Sequence, residues 1–240
     1  MSEEKSTVNI QALLNHSEKF LRSARMPIFE IDSGRICGFE MLIRGPGKFK
    51  NPEILFEEAS EEGCLVAVDL ASLHASIAAA QDIEPSQRVH VNLFAETILS
   101  TDLLSIFNEA LGKEKLRSGQ FCIEIIEMPN MPRPEDLLLR VQELQKSGLE
   151  FAIDDVGWGQ SAVEFLVILE PELIKIDRRF VTGAHLNKEL SRRYRRLVSI
   201  AKSLNCRIVA EGVDTEADRI LAQDLAVHMG QGLLTGPLPD

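Results

Sequence analysis

A run of apolar residues ends in two neighbouring acids within the segment FAIDDVGWGQS, residues 151–161. Asp154 and Asp155 directly follow what we predict to be a buried strand. Two like charges side by side at such a point are unfavourable unless a counter-charge lies close by. Gly157 and Gly159 come next and allow backbone angles that other residues resist. The segment therefore indicates a site that uses both carboxylates.

Other predicted strands also end, or nearly end, in a polar side chain. These residues are Glu40, Asn92, Glu124, Asp154, Lys175, Glu211 and Gln231. A single acid at a strand end is usually a helix cap or a loop anchor, and Asp155 and Asp177 also fit that interpretation. Seven polar residues at such positions in one chain favour a shared functional role. In a barrel of parallel strands, the carboxyl ends meet at one mouth, where active sites are built.

Small residues leave room beneath three of these acids. Gly38, Cys122 and Ala152 stand two positions before Glu40, Glu124 and Asp154. Side chains two positions apart in a strand share a face. The three acids are therefore predicted to point into the mouth of the barrel above small side chains.

This set of residues predicts metal-assisted chemistry. Four carboxylates close together cannot all stay ionised without counter-charge, and Lys175 supplies only one positive charge. Oxygen ligands with one amide suit hard divalent cations such as Mg²⁺ or Mn²⁺. Two such ions about 4 Å apart would activate a water molecule and neutralise a phosphoryl group in an in-line displacement. Asp154 and Asp155 would then be neighbours because they serve neighbouring ions.

Strand and helix patterns alternate over the chain, which indicates an α/β fold. The spacing of apolar residues predicts a helix over 10–24, and residues 26–45 contain two strand-like runs joined by a turn at 32–35. Such a short turn implies an antiparallel start. Eight strand candidates favour a closed TIM-like (β/α)₈ barrel over an open sheet, which remains the alternative.

Composition limits the class of protein and its partners. Of 240 residues, 45% are hydrophobic and 26% are charged, which is ordinary for a soluble globular protein. The formal net charge of −11 argues against a general binder of nucleic-acid polymers. We interpret the basic run SRRYRR at 191–196 as a solvated helix face.

The expected location is the cytoplasm. Residues 1–11 are polar, and no apolar run approaches the roughly 18 residues that a membrane span needs, so no membrane association is predicted. Cys37, Cys64, Cys122 and Cys206 are widely spaced in apolar surroundings and are interpreted as reduced core residues.

Seven motifs in order make the chain resemble the EAL domain, a family of bacterial phosphodiesterases that hydrolyse cyclic di-GMP. GFEMLIR resembles the signature Glu-Ala-Leu-x-Arg, with Met41 in place of Ala. The other motifs are VNL, IEIIE, IDDVGWGQS, LIKIDRRFV, VAEGVD and MGQGLLTGPLP. The resemblance covers residues 25–239. It implies a barrel whose first strand is antiparallel, and we predict an N-terminal helical extension over 1–24 and an EAL-type barrel domain over 25–240.

The resemblance also implies roles for individual residues. Two Mg²⁺ or Mn²⁺ ions would be held by Glu40, Asn92, Glu124, Asp154 and Asp155. Among the catalytic residues Glu40, Lys175, Glu211 and Glu127, Lys175 would orient the attacking water and Glu211 would belong to the metal and water shell, with the role of base open to it. Glu127 would brace the loop after Asp155. The substrate would contact Arg44, Asp214 and Gln231, and the product would be linear pGpG.

Departures from the family pattern leave an alternative open. Asp214 replaces the usual Glu, and Val156, Trp158 and Gln160 alter the loop that the family uses for metal positioning and dimer coupling. The expected metal ligands are all present, which favours an active enzyme. Because Trp158 lies in the loop that relatives use near a dimer interface, the resemblance also implies a homodimer with this loop close to the interface. The alternative is a catalytically weak or silent relative that binds cyclic di-GMP or a protein partner. An unrelated barrel enzyme is a third, remote possibility because of the motif order.

Overall fold

The computed structural model describes residues 8–113, 119–126, 132–157 and 162–236. In these ranges eight strands close into a barrel in sequence order. The strands are β1 (Arg22–Glu30), β2 (Ile36–Arg44), β3 (Arg88–Phe94), β4 (Phe121–Ile126), β5 (Glu150–Val156), β6 (Leu173–Ile176), β7 (Arg207–Glu211) and β8 (Met229–Gln231). β1 runs antiparallel to β2 and β8, whereas all other neighbouring pairs are parallel. The predicted barrel with an antiparallel first strand is confirmed, and the open-sheet alternative is wrong.

Two short helices precede β1, and the other helices lie between successive parallel strands. The helices are α1 (Ile10–Asn15), α2 (Ser17–Phe20), α3 (Pro52–Glu61), α4 (Leu65–Ala79), α5 (Ala95–Ser100), α6 (Leu103–Lys113), α7 (Pro134–Lys146), α8 (Ala162–Leu169), α9 (Arg178–Val181), α10 (Lys188–Ser203) and α11 (Glu216–Asp224). Short 3₁₀ turns lie at Gly47–Lys50, Ala184–Leu186 and Leu233–Thr235. Within the described ranges, none of the helices combines the length and the apolar character required to cross a membrane.

The β1–β2 hairpin confirms the predicted turn at 32–35. Gly34 adopts a φ of 70°, and its N–H donates to the carbonyl of Glu30 at 2.9 Å. Glycine adopts this left-handed conformation without the steric cost that a Cβ would bring. The turn therefore reverses the chain so that Ile28 lies opposite Gly38 in the ladder.

The single helix predicted over 10–24 is wrong in its extent. Two short helices cover Ile10–Asn15 and Ser17–Phe20, separated by His16 at φ −140°. The chain then enters β1 at Arg22, which pairs with Arg44 of β2. A long hairpin ladder satisfies more backbone groups than another helical turn does, so tertiary pairing overrides the local helical pattern.

An inner layer of side chains supports the carboxyl end of the barrel. Its buried members are Ile28, Cys122, Ala152, Leu173, Val209 and Met229. The five members that belong to parallel strands, all but Ile28, stand two positions before one of the polar residues of the site and therefore share its face. This packed layer forms the floor on which the polar side chains of the next level stand.

The outer core lies between the strands and the helices. Alternate strand residues such as Val91, Ile123 and Ile208 belong to it. Tyr194 of the basic run is also fully buried there, whereas the arginines on either side of it are exposed. The predicted solvated face of α10 is confirmed for the arginines, and the tyrosine anchors the helix from the opposite side.

Candidate active site

A buried lysine lies at the centre of the candidate site. The Nζ atom of Lys175 lies 2.8 Å from Glu211, 2.9 Å from Glu124, 3.1 Å from Glu40 and 3.3 Å from Asp154. Its side chain is 1% exposed. Burial favours the neutral amine, but the surrounding carboxylates outweigh burial and raise the pKa of Lys175 well above its usual value. The lysine is therefore a fixed positive charge and not a proton acceptor.

Glu40 is held in its ionised form by three donors. The side-chain amides of Asn92 and Gln231 donate to its two oxygens at 2.9 and 2.7 Å, and Lys175 contacts it as well. Burial opposes ionisation, but Lys175 and the two amides outweigh it and lower the pKa of Glu40 to about 2. A carboxylate so fixed is suited to bind a cation.

Glu124 is oriented by a histidine in the layer below. The Nδ1 atom of His90 lies 2.7 Å from one oxygen of Glu124, and Lys175 donates to the other at 2.9 Å. Burial, followed by the charge of Lys175, lowers the pKa of His90 to about 3. The imidazole is therefore neutral and serves as a hydrogen-bonding partner of Glu124.

The two neighbouring aspartates reach the same site because the strand is irregular there, whereas in a regular strand they would point to opposite faces. The register of β5 against β6 shifts between Ile153 and Val156, and Asp155 adopts a φ of 52°. A bulge of this kind re-aims a side chain and is common beside active sites. As a result, oxygens of Asp154, Asp155 and Glu211 all lie within 4.8 Å of one another.

Asp155 and Glu211 resist ionisation in the absence of a cation. Partial burial, a hydrogen bond with Asp177 and the charge of Asp154 raise the pKa of Asp155 to about 7. Burial, together with the charges of Asp154 and Glu40, outweighs the effect of Lys175 and raises the pKa of Glu211 to about 8. The raised pKa values of Asp155 and Glu211 indicate that the cluster has too little positive charge nearby to balance its carboxylates.

The donor set fits a hard divalent cation. Five carboxylates face one ammonium group, so four negative charges remain uncompensated if all ionise. The buried Oε1 atom of Gln231 has no hydrogen-bond partner among the described residues. Oxygen donors with an amide nearby are the ligands that Mg²⁺ and Mn²⁺ prefer.

The remaining predicted residues differ in how close they come to this cluster. Arg44 ends β2, and its guanidinium donates to the carbonyl of Ile43 at 3.0 Å. Asp214 does not reach Lys175; it accepts from the N–H of Leu233 at 2.9 Å. Glu127, together with Trp158 and Gln160, lies outside the described residues.

Two cavities meet at Glu40 and Leu42. The larger has a volume of about 560 Å³ and extends from Asn92 and Asp154 to the underside of α3. The smaller has a volume of about 320 Å³ and is lined by Glu211 and Gln231. Carboxylates of the cluster line both cavities, Glu40 and Asp154 the larger and Glu40 and Glu211 the smaller.

Sequence reasoning missed one group at this mouth. Arg178, three positions after Lys175, lines the smaller cavity beside Asp214. Its position within the LIKIDRRFV motif was the available signal. Asp177 was predicted to cap a helix and does so, accepting from the N–H of Arg179 at 2.7 Å.

A comparison of the sequence with models of known protein families identifies the family of this chain. The sequence model described as EAL domain matches residues 11–237, and the chain belongs to this family.

Individual relatives agree with that assignment. The probable cyclic di-GMP phosphodiesterase PdeB of Escherichia coli strain K12 is 25% identical over 214 residues, which is 87% of this chain and 40% of PdeB. This chain therefore spans less than half the length of that relative. The solved complex of the PaMucR phosphodiesterase with c-di-GMP has a TM-score of 0.80 and 25% identity, and the match covers 93% of each chain. A standalone EAL protein from Vibrio cholerae O395, solved with c-di-GMP bound, has a TM-score of 0.79 at 20% identity, covering 89% of this chain and 90% of that one.

Proposed function

We propose that this protein is a metal-dependent phosphodiesterase that hydrolyses cyclic di-GMP to linear pGpG. The observation that carries the proposal is the set of carboxylates around Lys175 at the carboxyl end of the barrel. Membership of the EAL family and the c-di-GMP complexes of similar proteins support it. The proposal extends to this chain what those names state of its relatives.

The metal dependence would come from two Mg²⁺ or Mn²⁺ ions bound by residues of the acidic cluster. Those residues are Glu40, Asn92, Glu124, Asp154 and Asp155, with Glu211 beside them. When bound, such ions supply activation of a water molecule and neutralisation of charge on the phosphoryl group. The raised pKa values of Asp155 and Glu211 support this part of the proposal because a bound cation would favour their ionised forms.

The residues of the chain would divide the remaining work. Lys175, as a fixed charge, orients the attacking water and stabilises charge that develops on phosphate oxygens. Glu211, 2.8 Å from Lys175, accepts the proton of that water. The water oxygen forms a bond to phosphorus while the bond from phosphorus to the ribose 3′ oxygen breaks, and the released 3′ oxygen takes up a proton from solvent to become a hydroxyl group. The product keeps both guanosines as linear pGpG.

The surroundings of the site suit a nucleotide ligand. The larger cavity is lined by apolar residues including Phe56 and Phe94, and acidic side chains such as Glu53 and Glu57 lie at its edge. Apolar walls favour a flat base, and carboxylates accept hydrogen bonds from the N1–H and N2–H₂ groups of guanine. Arg44 remains the proposed contact to a substrate phosphate. Gln231 remains a proposed substrate-binding residue beside the metal site.

Further parts of the prediction accompany this proposal. We infer a homodimer with the 156–160 loop near its interface, a cytoplasmic location, and no role for a nucleic-acid polymer or a membrane. The boundary between the extension over 1–24 and the barrel domain over 25–240 also stays a proposal, although Ile10 and Leu13 are buried in one cluster with Phe49 and Leu55.

The test compares Glu40→Ala with a matched surface variant, Glu62→Ala. Glu62 directly follows α3 on the exposed surface, whereas Glu40 lies at the centre of the site. We expect Glu40→Ala to abolish hydrolysis of cyclic di-GMP while its circular dichroism spectrum stays that of the wild type. Glu62→Ala should retain activity. Unchanged turnover in Glu40→Ala would refute the site, and binding without hydrolysis by the wild type would favour the silent-relative alternative.

A further inference from the structure

Arg178 stands at the mouth of the smaller cavity on a rigid base. It is the first residue of α9, directly after Asp177, which caps that helix. Its Cβ packs against the backbone of Gly212, where an added side-chain carbon would collide with Arg178 and with Thr182. Gly212 also adopts a φ of 69°, a conformation that favours glycine. The base of the arginine is therefore fixed beside Glu211.

The guanidinium of Arg178 is by contrast available for a ligand. Its side chain is 59% exposed, and among the described residues its one recorded polar partner is Asp214, at 3.5 Å. Asp214 itself is only 16% exposed and is held by the N–H of Leu233. Asp214 therefore orients the guanidinium group through one long contact and leaves most of its five N–H donors available to a ligand.

Among the described residues that line the smaller cavity, Arg178 is the one with a cationic side chain. Glu40 and Glu211 line it together with Arg178, and the charge of Lys175 is shared among four carboxylates. A cyclic dinucleotide carries two phosphodiester groups, of which only one can lie at the reacting centre. The second lies away from the proposed ions, so another cation is needed to offset its charge.

We propose that Arg178 binds the phosphodiester that is not cleaved and thereby determines specificity for a cyclic dinucleotide, with Asp214 as its positioning residue. This inference rests on the proposed function. The planar fork of arginine matches two phosphate oxygens at once, which a lysine cannot do. Binding at this point fixes the dinucleotide across both cavities, so that the other phosphate lies over the carboxylates.

The experiment measures KM and kcat for two substrates. Cyclic di-GMP carries both phosphates, whereas bis(p-nitrophenyl) phosphate carries only the scissile one. We expect Arg178→Ala to raise KM for cyclic di-GMP about 10- to 100-fold, because charge-assisted hydrogen bonds are lost. Its kcat should change less, and hydrolysis of bis(p-nitrophenyl) phosphate should stay that of the wild type. The KM of Arg178→Lys for cyclic di-GMP should lie between those of the wild type and Arg178→Ala, because lysine keeps the positive charge but lacks the planar pair of donors.

A matched control and the contrary outcomes complete the design. Arg195→Ala removes one positive charge from the exposed face of α10, away from the site, and should change neither substrate. An unchanged KM for cyclic di-GMP in Arg178→Ala would overturn the inference while leaving the proposed function intact. Equal losses with both substrates would also overturn it, because they indicate general damage to the site. A wild type that neither binds nor hydrolyses cyclic di-GMP would overturn the proposed function and this inference together.

Discussion

Replacing Lys175 by methionine removes the charge at the centre of the site and keeps most of the side-chain volume. Four carboxylates then face one another around an apolar group, where before each had Nζ within 3.3 Å. Removing one partner of a buried ion pair typically costs about 3–5 kcal/mol of stability, because the other charge is left without compensation. We expect a loss of this size in the metal-free protein at pH 8.

The loss should depend on pH with a definite sign. The carboxylates of the folded variant have pKa values above those of the unfolded chain, so the folded state binds more protons. Its stability therefore falls as the pH rises, from about pH 5 upward, until the raised pKa values are passed. In the wild type the pKa of Glu211 is already about 8. At pH 5.5 the variant relieves part of the repulsion by taking up protons, and the loss should be smaller.

Urea denaturation at pH 5.5 and pH 8, with EDTA and with Mg²⁺, measures these differences. Mg²⁺ should restore part of the stability of Lys175→Met, since a cation that binds only the folded state stabilises it. Lys188→Met, an exposed change on α10, is the control and should behave as the wild type. A variant as stable as the wild type at pH 8 in EDTA, or a loss that does not change with pH, would refute this account of the charges.

Three other predictions concern parts of the chain away from that lysine. Asp69→Asn keeps an acceptor for the N–H of Phe94 but removes a carboxyl group whose pKa burial raises to about 7. The folded wild type keeps that proton up to about pH 7 while the unfolded chain loses it near pH 4, so wild-type stability falls over this window. Urea denaturation should therefore find the variant up to about 4 kcal/mol more stable at pH 8 and unchanged at pH 4, and parallel pH profiles would contradict this. Gly212→Ala should lower stability by about 1–3 kcal/mol, because its new carbon meets Thr182 at a positive φ; an unchanged melting temperature would argue against that contact. Light scattering at micromolar concentration should find a homodimer, and a monomer would count against an interface near the 156–160 loop.

The fold was largely predictable because its rules are local and repeat along the chain. Strand and helix patterns alternate, and a short turn at 32–35 permits only an antiparallel hairpin. The prediction of one helix over 10–24 was wrong at its C-terminal end, where Arg22 pairs with Arg44 in the β1–β2 hairpin. That ladder joins segments distant in sequence, so a local period cannot reveal it.

The composition of the site was predictable to a similar degree, and its internal geometry was not. Polar strand ends such as Glu40 and Asp154 converge because a barrel brings the carboxyl ends of its strands together. The left-handed φ of Asp155 depends on a bulge against β6, and the place of Arg178 depends on its contact with Gly212. Both features arise from contacts between separate elements, which a motif does not encode.

Incubating the purified protein with cyclic di-GMP and either Mg²⁺ or Mn²⁺, and separating the products by chromatography with mass detection, tests the central claim most directly. The account predicts linear pGpG, formed only while a divalent cation is present and absent when EDTA is added. Cyclic di-GMP that remains intact with both metals would contradict it, and so would pGpG formation that continues in EDTA.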